Sequence, residues 1–284
     1  MSRDYKWRWG HVDQSERADR YVALLNRLRP DDEPANFPTT LTWIDAQPGE
    51  CILEIGCGNG AVARAVARAV PDIRELVAVD ASAEMIAEAQ RRMEVNLPVS
   101  FQVADAHHLP FPDASFDRCY AMETFVILPD PYQAFQELAR VTRPGGYLCL
   151  WESDCDARAL LASDLALSRR LMRFVGEQEF NGAVARQLIG WVKELEWQVD
   201  IVPAVPISDG SAFLTSWLLD EWVADAVEAG VVTPEEAEGF LMEMRQRQET
   251  DLFLSYTVNF RITARKRGAE GGLENSDKHR DRSD

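Results

Sequence analysis

A glycine-rich segment at residues 53–61 constrains the fold of this 284-residue chain more than any other part of the sequence. A short apolar run leads into Gly56, Gly58 and Gly60, and residues rich in alanine and valine follow. Glycine is needed in such a turn where φ is positive, or where the backbone must come close to a ligand. The segment therefore predicts a β-strand, a tight turn and an α-helix.

Carboxylates stand at the ends of successive apolar runs. Glu54 lies just before the glycines, Asp80 ends the second run, and Asp105 follows the third run at Val99–Val103. Open α/β sheets bind ligands beyond the carboxyl ends of their strands, where the strand order reverses. We therefore expect these carboxylates to lie near one another, around a nucleoside-like ligand.

The glycine spacing separates two kinds of nucleoside site. A dinucleotide fingerprint has the spacing G-x-G-x-x-G, whereas Gly56, Gly58 and Gly60 follow the spacing G-x-G-x-G. In addition, Glu54 would repel a pyrophosphate and attract a cationic ligand. Both features favour a cationic nucleoside, and a nicotinamide-dependent oxidoreductase stays open as the alternative.

These residues resemble the class I S-adenosylmethionine-dependent methyltransferases, in particular the small-molecule type that includes the ubiquinone- and menaquinone-biosynthesis enzymes. The resemblance also rests on residues 109–117 and 140–146. It is strong over residues 45–152, weaker to about residue 206, and thin at both ends. It implies S-adenosyl-L-methionine as the cofactor.

Strands that alternate with helices up to residue 152 predict an α/β fold with a doubly wound, mostly parallel sheet. Residues 157–177 and 182–195 are predicted as helices. The resemblance implies a seven-stranded, Rossmann-like sheet, with the sixth strand at residues 198–206 and an antiparallel seventh at residues 252–265. We expect five segments: an N-terminal helical segment that closes over the site (1–44), a cofactor-binding core (45–206), a helical cap insertion (207–250), a final core strand (251–266) and a disordered tail (267–284).

Several cofactor contacts follow from position in this pattern. The backbone amides of the glycine turn, with Cys57 inside it, should line the methionine part of the cofactor. Asp80 is positioned to accept hydrogen bonds from both ribose hydroxyls. Met85 would cover one face of the adenine, or else is an ordinary core residue of its helix. The full set of expected cofactor contacts is Glu54, Gly56, Cys57, Gly58, Gly60, Asp80, Ala81, Met85, Asp105, Ala106 and Met122.

The resemblance adds three roles within that set. It implies that Glu54 serves the cofactor's amino group, directly or through water. It implies that Asp105 accepts a hydrogen bond from the adenine amino group, and that the Ala106 amide meets the adenine ring. These roles are expectations for the structure.

A general base is not evident after the predicted fourth strand. Many small-molecule relatives carry histidine near residues 126–127, where this chain has valine and isoleucine. The motif that holds planar amines in nucleic-acid and protein methyltransferases is also absent. Glu123 and His11 are the candidates for deprotonating an acceptor; otherwise the acceptor arrives already nucleophilic. His107 and His108 fit a surface loop better than a catalytic role.

Charge and cysteine content limit the partners. The chain has 30 basic and 47 acidic residues, and its net charge of −17 would repel phosphate backbones, so nucleic acid is not an expected partner. It has no apolar run long enough for a membrane span. Five cysteines without a CxxC pair, and no paired Asp/Asn set, predict that no metal is bound. Free thiols and the lack of a secretory apolar segment favour the cytoplasm.

The sequence thus predicts a cytoplasmic S-adenosylmethionine-dependent methyltransferase acting on a small organic molecule. Aromatic side chains in and before the expected cap are more often core residues than residues of a substrate pocket. If some of them face the site, the methyl acceptor is expected to be apolar or aromatic. A non-catalytic cofactor-binding protein and a protein or RNA methyltransferase stay open, as does a homodimer. The aromatic residues concerned are Phe174, Phe180, Phe213, Trp217, Trp222 and Phe240.

Overall fold

One sheet organises the chain. The computed structural model describes residues 12–13, 18–28, 37–178, 181–195, 197–203 and 217–268. The strands are β1 (Cys51–Ile55), β2 (Glu75–Asp80), β3 (Val99–Val103), β4 (Phe116–Met122), β5 (Thr142–Leu160), β6 (Gln198–Pro203) and β7 (Ser255–Arg265). They form a seven-stranded sheet in the order β3-β2-β1-β4-β5-β7-β6. The first five strands pair in parallel, and β7 pairs antiparallel with both β5 and β6. The predicted doubly wound, mostly parallel sheet with an antiparallel last strand is confirmed.

Helices connect and flank these strands. They are α1 (Ala18–Leu28), α2 (Phe37–Ile44), α3 (Ala61–Ala69), α4 (Ala83–Arg91), a short 3₁₀ turn (Phe125–Ile127), α5 (Pro131–Val141), α6 (Leu165–Gln178), α7 (Val184–Glu194), α8 (Trp217–Glu228) and α9 (Pro234–Glu249). Helix α9 begins with a capping box. Thr233 Oγ1 accepts a hydrogen bond from the Glu236 N–H over 3.2 Å, and the Glu236 carboxylate accepts one from the Thr233 N–H over 2.9 Å.

Apolar side chains of the strands pack on both faces of the sheet. Leu53 and Ile55 of β1 belong to a cluster with residues of α5 and α7. Ile52, on the opposite face of the same strand, belongs to a cluster with residues of α2, α3 and α4. Because successive side chains of a strand point to opposite faces, a strand covered on both sides is apolar almost throughout.

A third apolar cluster joins α1, α6, α8 and α9. Trp222, Phe240 and Phe174 are buried in this cluster. They are therefore core residues, which is the more common of the two alternatives given for these aromatic side chains. The remaining aromatic residues of the expected cap lie outside the part of the chain that can be described: Phe180, Phe213 and the Trp217 side chain.

Strand β5 differs from the prediction. The sequence predicts a strand that ends near residue 152 and a helix from residue 157, but β5 continues to Leu160 and α6 begins only at Leu165. Residues 159 and 160 pair with Tyr256 and Ser255 of β7, past an irregularity that begins at Asp154. The prediction of helix at residues 157–160 is wrong, because pairing with a distant strand outweighs local propensity.

Candidate cofactor-binding and active site

The glycine turn after β1 has the backbone that the sequence predicts. Gly56, Gly58 and Gly60 have φ values of 66°, 52° and 72°. The Cys57 N–H donates to the Val79 carbonyl over 3.0 Å, which ties the turn to β2. A Cβ atom at Gly60 would lie 2.5 Å from the Phe101 ring. Both the positive φ values and the close packing therefore require glycine here.

Helix α1 covers this turn. A Cβ atom on Gly58 would lie 2.5 Å from the Leu25 side chain. Asn26 Oδ1 accepts a hydrogen bond from Asn59 Nδ2 over 2.9 Å, and Asn26 Nδ2 donates to the Glu88 carboxylate over 2.7 Å. One side chain of α1 thus joins the glycine turn to α4.

The Asp80 carboxylate lies at the end of β2 beside the glycine turn. Its two oxygens accept hydrogen bonds from the Gly58 N–H and the Ser82 N–H, each over 2.9 Å. Burial raises the pKa of Asp80, these backbone hydrogen bonds oppose the shift, and the charge of Asp13 adds to it. Asp13 in turn accepts hydrogen bonds from the Ser82 hydroxyl and, over 2.7 Å, from the Ala83 N–H at the start of α4.

Glu54 is buried rather than solvated. Only 2% of the Glu54 surface is exposed to solvent. Its carboxylate accepts a hydrogen bond from the Tyr120 hydroxyl over 2.9 Å. Burial raises the pKa of the nearby Cys57 thiol well above its usual value, and the negative charges of Asp80 and Glu54 raise it further. The Arg64 guanidinium donates to the Asn59 carbonyl over 2.8 Å from the other side of the turn. The carboxylates of Glu54 and Asp80 are the groups beside the turn that would attract a positively charged ligand.

Asp105 is exposed and bound to its own loop. One carboxylate oxygen accepts from the His107 N–H over 2.9 Å and lies 2.6 Å from His107 Nδ1. His107 Nε2 accepts from the Asp130 N–H over 3.3 Å, so the ring proton belongs on Nδ1. Burial alone would raise the pKa of Asp105, but the hydrogen bonds from His107 outweigh it and lower the pKa. His108 is exposed.

The other expected cofactor contacts differ in their exposure to solvent. Ala81 follows Asp80 and is exposed, Ala106 follows Asp105 and is buried, and Met122 ends β4. Met85 is buried in the apolar cluster with α1, α6, α8 and α9. His11 lies outside the described residues.

Glu123 begins the turn after β4 in a backbone conformation that residues other than glycine rarely adopt. Its φ is 54°, and its N–H donates to the Trp151 carbonyl over 2.8 Å. Its carboxylate lies 2.7 Å from the Ser153 hydroxyl, which also lies 2.6 Å from Asn259 Oδ1. Non-glycine residues with positive φ cluster at functional sites. The next residue, Thr124, packs against Gly56, so Glu123 adjoins the glycine turn.

Glu152 of β5 lies beneath the same turn. It is 1% exposed, and one carboxylate oxygen accepts hydrogen bonds from the Thr124 and Phe125 N–H groups, each over 2.8 Å. The other oxygen accepts from the Val126 N–H over 3.4 Å. Burial raises the pKa of Glu152 to about 8, and the negative charge of Glu123 contributes to the rise.

The segment that contains these strand ends and the glycine turn, residues 53–150, matches the methyltransferase domain family. These residues form a methyltransferase domain. S-Adenosylmethionine is the cofactor of such domains. The Glu54 and Asp80 carboxylates beside the glycine turn suit its positive charge.

Relatives of the methyltransferase domain include proteins of bacteria. The chain is 35% identical over 221 residues to an uncharacterized 37.1 kDa protein in transposon Tn4556 of Streptomyces fradiae, covering 77% of this chain and 61% of that protein. It is 36% identical over 131 residues to the 27-O-demethylrifamycin SV methyltransferase of Amycolatopsis mediterranei, covering 42% of this chain and 47% of that enzyme. The chain thus spans less than two thirds of the length of either relative.

A solved structure shares the fold of the methyltransferase domain. Phosphoethanolamine N-methyltransferase 2 of Haemonchus contortus, in complex with S-adenosyl-L-methionine, superimposes with a TM-score of 0.59 at 17% identity. The match covers 90% of this chain and 59% of that one. At this identity the likeness supports the fold alone.

Several residues of this site are not among those that the sequence predicts. Glu152 ends an apolar run, as Glu54 and Asp80 do, so the same signal was available for it. Tyr120 and Asn26 carry no local signal, because each acts on a residue far away in the chain.

Two further properties concern partners. Within the described ranges, His, Cys, Asp and Glu side chains form no cluster of three or more that could hold a metal ion. In the same part of the chain, none of the helices has both the length and the apolar character that crossing a membrane requires.

Proposed function

We propose that this protein transfers the methyl group of S-adenosylmethionine to a hydroxyl oxygen of a small, apolar or aromatic organic molecule. The observation that carries the proposal is the placement of two carboxylates, Glu54 and Asp80, at the glycine turn of a methyltransferase domain. The 27-O-demethylrifamycin SV methyltransferase, whose name specifies a small-molecule substrate, supports oxygen as the receiving atom.

In this proposal the cofactor lies across the carboxyl ends of β1, β2 and β4. When bound, it supplies an electrophilic methyl group on a positively charged sulfur. The glycine turn and Cys57 contact its methionine part, and Glu54 acts on its amino group through water, since the carboxylate is buried. Asp80 and Ala81 hold the ribose. The adenine contacts proposed are Met85, Asp105 and Ala106. Met122, at the end of β4, is a further proposed contact with the cofactor.

The chain contributes positioning and the exclusion of water. Aligning the two reactants can supply roughly 7–11 kcal/mol of the barrier reduction. The cluster formed by α1, α6, α8 and α9 is the proposed cap over the site, and α1 already contacts the glycine turn through Leu25. A dry site also strengthens the interaction of Glu54 and Asp80 with a cation.

Glu123 is the proposed general base. It adjoins the turn at Gly56, and its carboxylate would take the proton of the acceptor hydroxyl as the oxygen is methylated. His11 is the second candidate for the base, and it lies outside the described residues.

The buried free thiols support a cytoplasmic location.

Calorimetry and product analysis test the proposal together. We expect titration with S-adenosylmethionine to give saturable heat, and titration with NAD to give none. Incubation with a panel of phenols and macrolactone alcohols should then give a product one methyl group heavier by mass spectrometry. Heat with NAD alone would indicate the oxidoreductase, and cofactor binding without any methylated product would indicate a non-catalytic binding protein.

A further inference from the structure

A buried polar pair on β5 and β7 adjoins Glu123. Ser153 and Asn259 are directly opposite each other in these antiparallel strands, so their side chains lie on the same face of the sheet. They are only 7% and 4% exposed. The Ser153 hydroxyl lies 2.7 Å from Glu123 Oε1 and 2.6 Å from Asn259 Oδ1. Three polar side chains that are distant in the sequence therefore form one continuous hydrogen-bond chain.

The number of protons fixes the direction of this hydrogen-bond chain. A serine hydroxyl has one proton to donate, and a carboxylate has none. Ser153 therefore cannot donate to Glu123 Oε1 and to Asn259 Oδ1 at the same time. The charged carboxylate is the stronger acceptor, so the Ser153 proton is assigned to Glu123. The Asn259 amide then meets the Ser153 oxygen with its N–H group, which requires only a half-turn of the planar amide.

The backbone of Glu123 needs support of this kind. Its φ of 54° is a conformation that persists in non-glycine residues only where the surrounding structure holds it. The Trp151 carbonyl binds the Glu123 N–H, and the Ser153 hydroxyl binds the Glu123 carboxylate. A hydrogen bond to the charged form of a carboxyl group favours that form. The chain therefore orients the Glu123 side chain and keeps it able to accept a proton.

We propose that Ser153 and Asn259 are positioning residues for the base: the Asn259 amide N–H donates to the Ser153 oxygen, and the Ser153 O–H donates to the Glu123 carboxylate. This inference rests on the proposed function. In the step, the acceptor oxygen forms a bond to the methyl carbon, and the electron pair of the broken carbon–sulfur bond stays on sulfur. The acceptor proton passes to Glu123. Ser153 and Asn259 keep their own protons, because they act only through Glu123.

Nuclear magnetic resonance of the side-chain amides in the full-length protein tests the hydrogen-bond chain without turnover. The Asn259 amide signal is identified by its loss in Asn259→Asp. In Ser153→Ala this amide loses its acceptor, so its signal should move and its protons should exchange with solvent about 2- to 12-fold faster. Ser163→Ala is the matched control, because it also removes a hydroxyl that donates to a carboxylate, that of Glu243, but at an exposed position. It should leave the signal and the exchange rate unchanged.

Kinetics then separate positioning of the base from a purely structural role. In a protein that methylates an acceptor, Ser153→Ala should lower kcat by about 10- to 100-fold, the effect of losing a hydrogen bond to a charged group. The KM for the acceptor should stay unchanged, because the lost bond serves the chemical step. Ser153→Thr keeps the hydroxyl and should retain most of kcat.

Three results would overturn the inference: an Asn259 amide signal that is the same in Ser153→Ala and the parent, a Ser153→Ala variant with the kcat of the parent, or one in which only KM rises. If Ser153→Ala fails to fold, Glu123→Gln replaces it in the amide experiment. Loss of the charged acceptor should then move the Asn259 signal, and an unmoved signal would again overturn the chain. An amide that responds as expected in a protein without turnover would leave the chain standing and reject the methyl transfer.

Discussion

The Asp80 carboxylate accepts a hydrogen bond from the Gly58 backbone N–H over 2.9 Å. This bond connects the end of β2 to the turn after β1, so the residue proposed to hold the ribose also fixes the loop proposed to hold the methionine part. A second bond, from the Ser82 N–H, orients the other oxygen. The site is thus partly built before any ligand arrives.

Replacing Asp80 by asparagine should weaken cofactor binding. The substitution removes the negative charge, and a hydrogen bond to a charged group contributes about 1.5–3 kcal/mol. We expect the Kd for S-adenosylmethionine to rise by about 10- to 100-fold in titration calorimetry. Asp72→Asn, at an exposed loop position before β2, is the matched control and should leave the Kd unchanged. Equal affinities of Asp80→Asn and the parent would contradict the ribose role.

Replacing Gly60 by alanine should destabilise the protein. The new Cβ would meet the Phe101 ring at 2.5 Å, and φ at this position is 72°. Overpacking alone typically costs about 1–3 kcal/mol. We expect a lower midpoint in urea unfolding. Gly190→Ala in α7 is the control: a Cβ there meets no atom within 4 Å, so the free energy of unfolding should rise by about 0.5–1 kcal/mol. Similar effects of both substitutions would refute the packing argument.

Replacing Asn26 by alanine should loosen α1 from the glycine turn. The side chain loses its hydrogen bonds with Asn59 and Glu88. A net loss of about 0.5–1.5 kcal/mol corresponds to roughly a 2- to 12-fold change, and we expect it as faster cofactor dissociation in stopped-flow displacement. Arg20→Ala on the exposed side of α1 should leave the rate as it is. A dissociation rate that is insensitive to Asn26 would show that α1 does not retain the cofactor.

The free energy of unfolding should fall as pH rises, because Glu152 must lose its proton in the folded protein. Burial raises its pKa to about 8 in the folded protein, whereas an unfolded glutamate has a pKa of about 4.3. Between these values the folded state binds more protons than the unfolded state, so the free energy of unfolding decreases with pH. The loss should be on the order of 3–5 kcal/mol between pH 5 and pH 8.

Urea unfolding of Glu152→Gln at both pH values measures this effect, because the variant lacks the titrating group. Relative to the variant, the parent should be less stable at pH 8 than at pH 5. Asp80 also has a raised pKa, but it is present in both proteins and its contribution cancels. A stability difference that is the same at pH 5 and pH 8 would mean that Glu152 is ionised throughout.

Much of the fold could be predicted from the sequence because its causes are local. The alternation of apolar runs with helical segments predicted the parallel sheet, and the glycines predicted a turn that only positive φ can form. The carboxylates Glu54 and Asp80 were expected beside that turn, because the ends of parallel strands meet at one edge of a sheet. The family resemblance added the antiparallel direction of the last strand, which no local pattern of residues indicates.

The sequence by itself determined the strand, glycine turn and helix, and with them the kind of ligand that the site suits. The tertiary structure decided the rest: the length of β5, the burial of Glu54 against Tyr120, the attachment of Asp105 to His107, and the hydrogen bonds from the turn after β4 to Glu152. The physical reason is distance along the chain. Strand pairing and desolvation depend on residues that only the fold brings together. No short window of the sequence contains both β5 and β7, or both Tyr120 and Glu54.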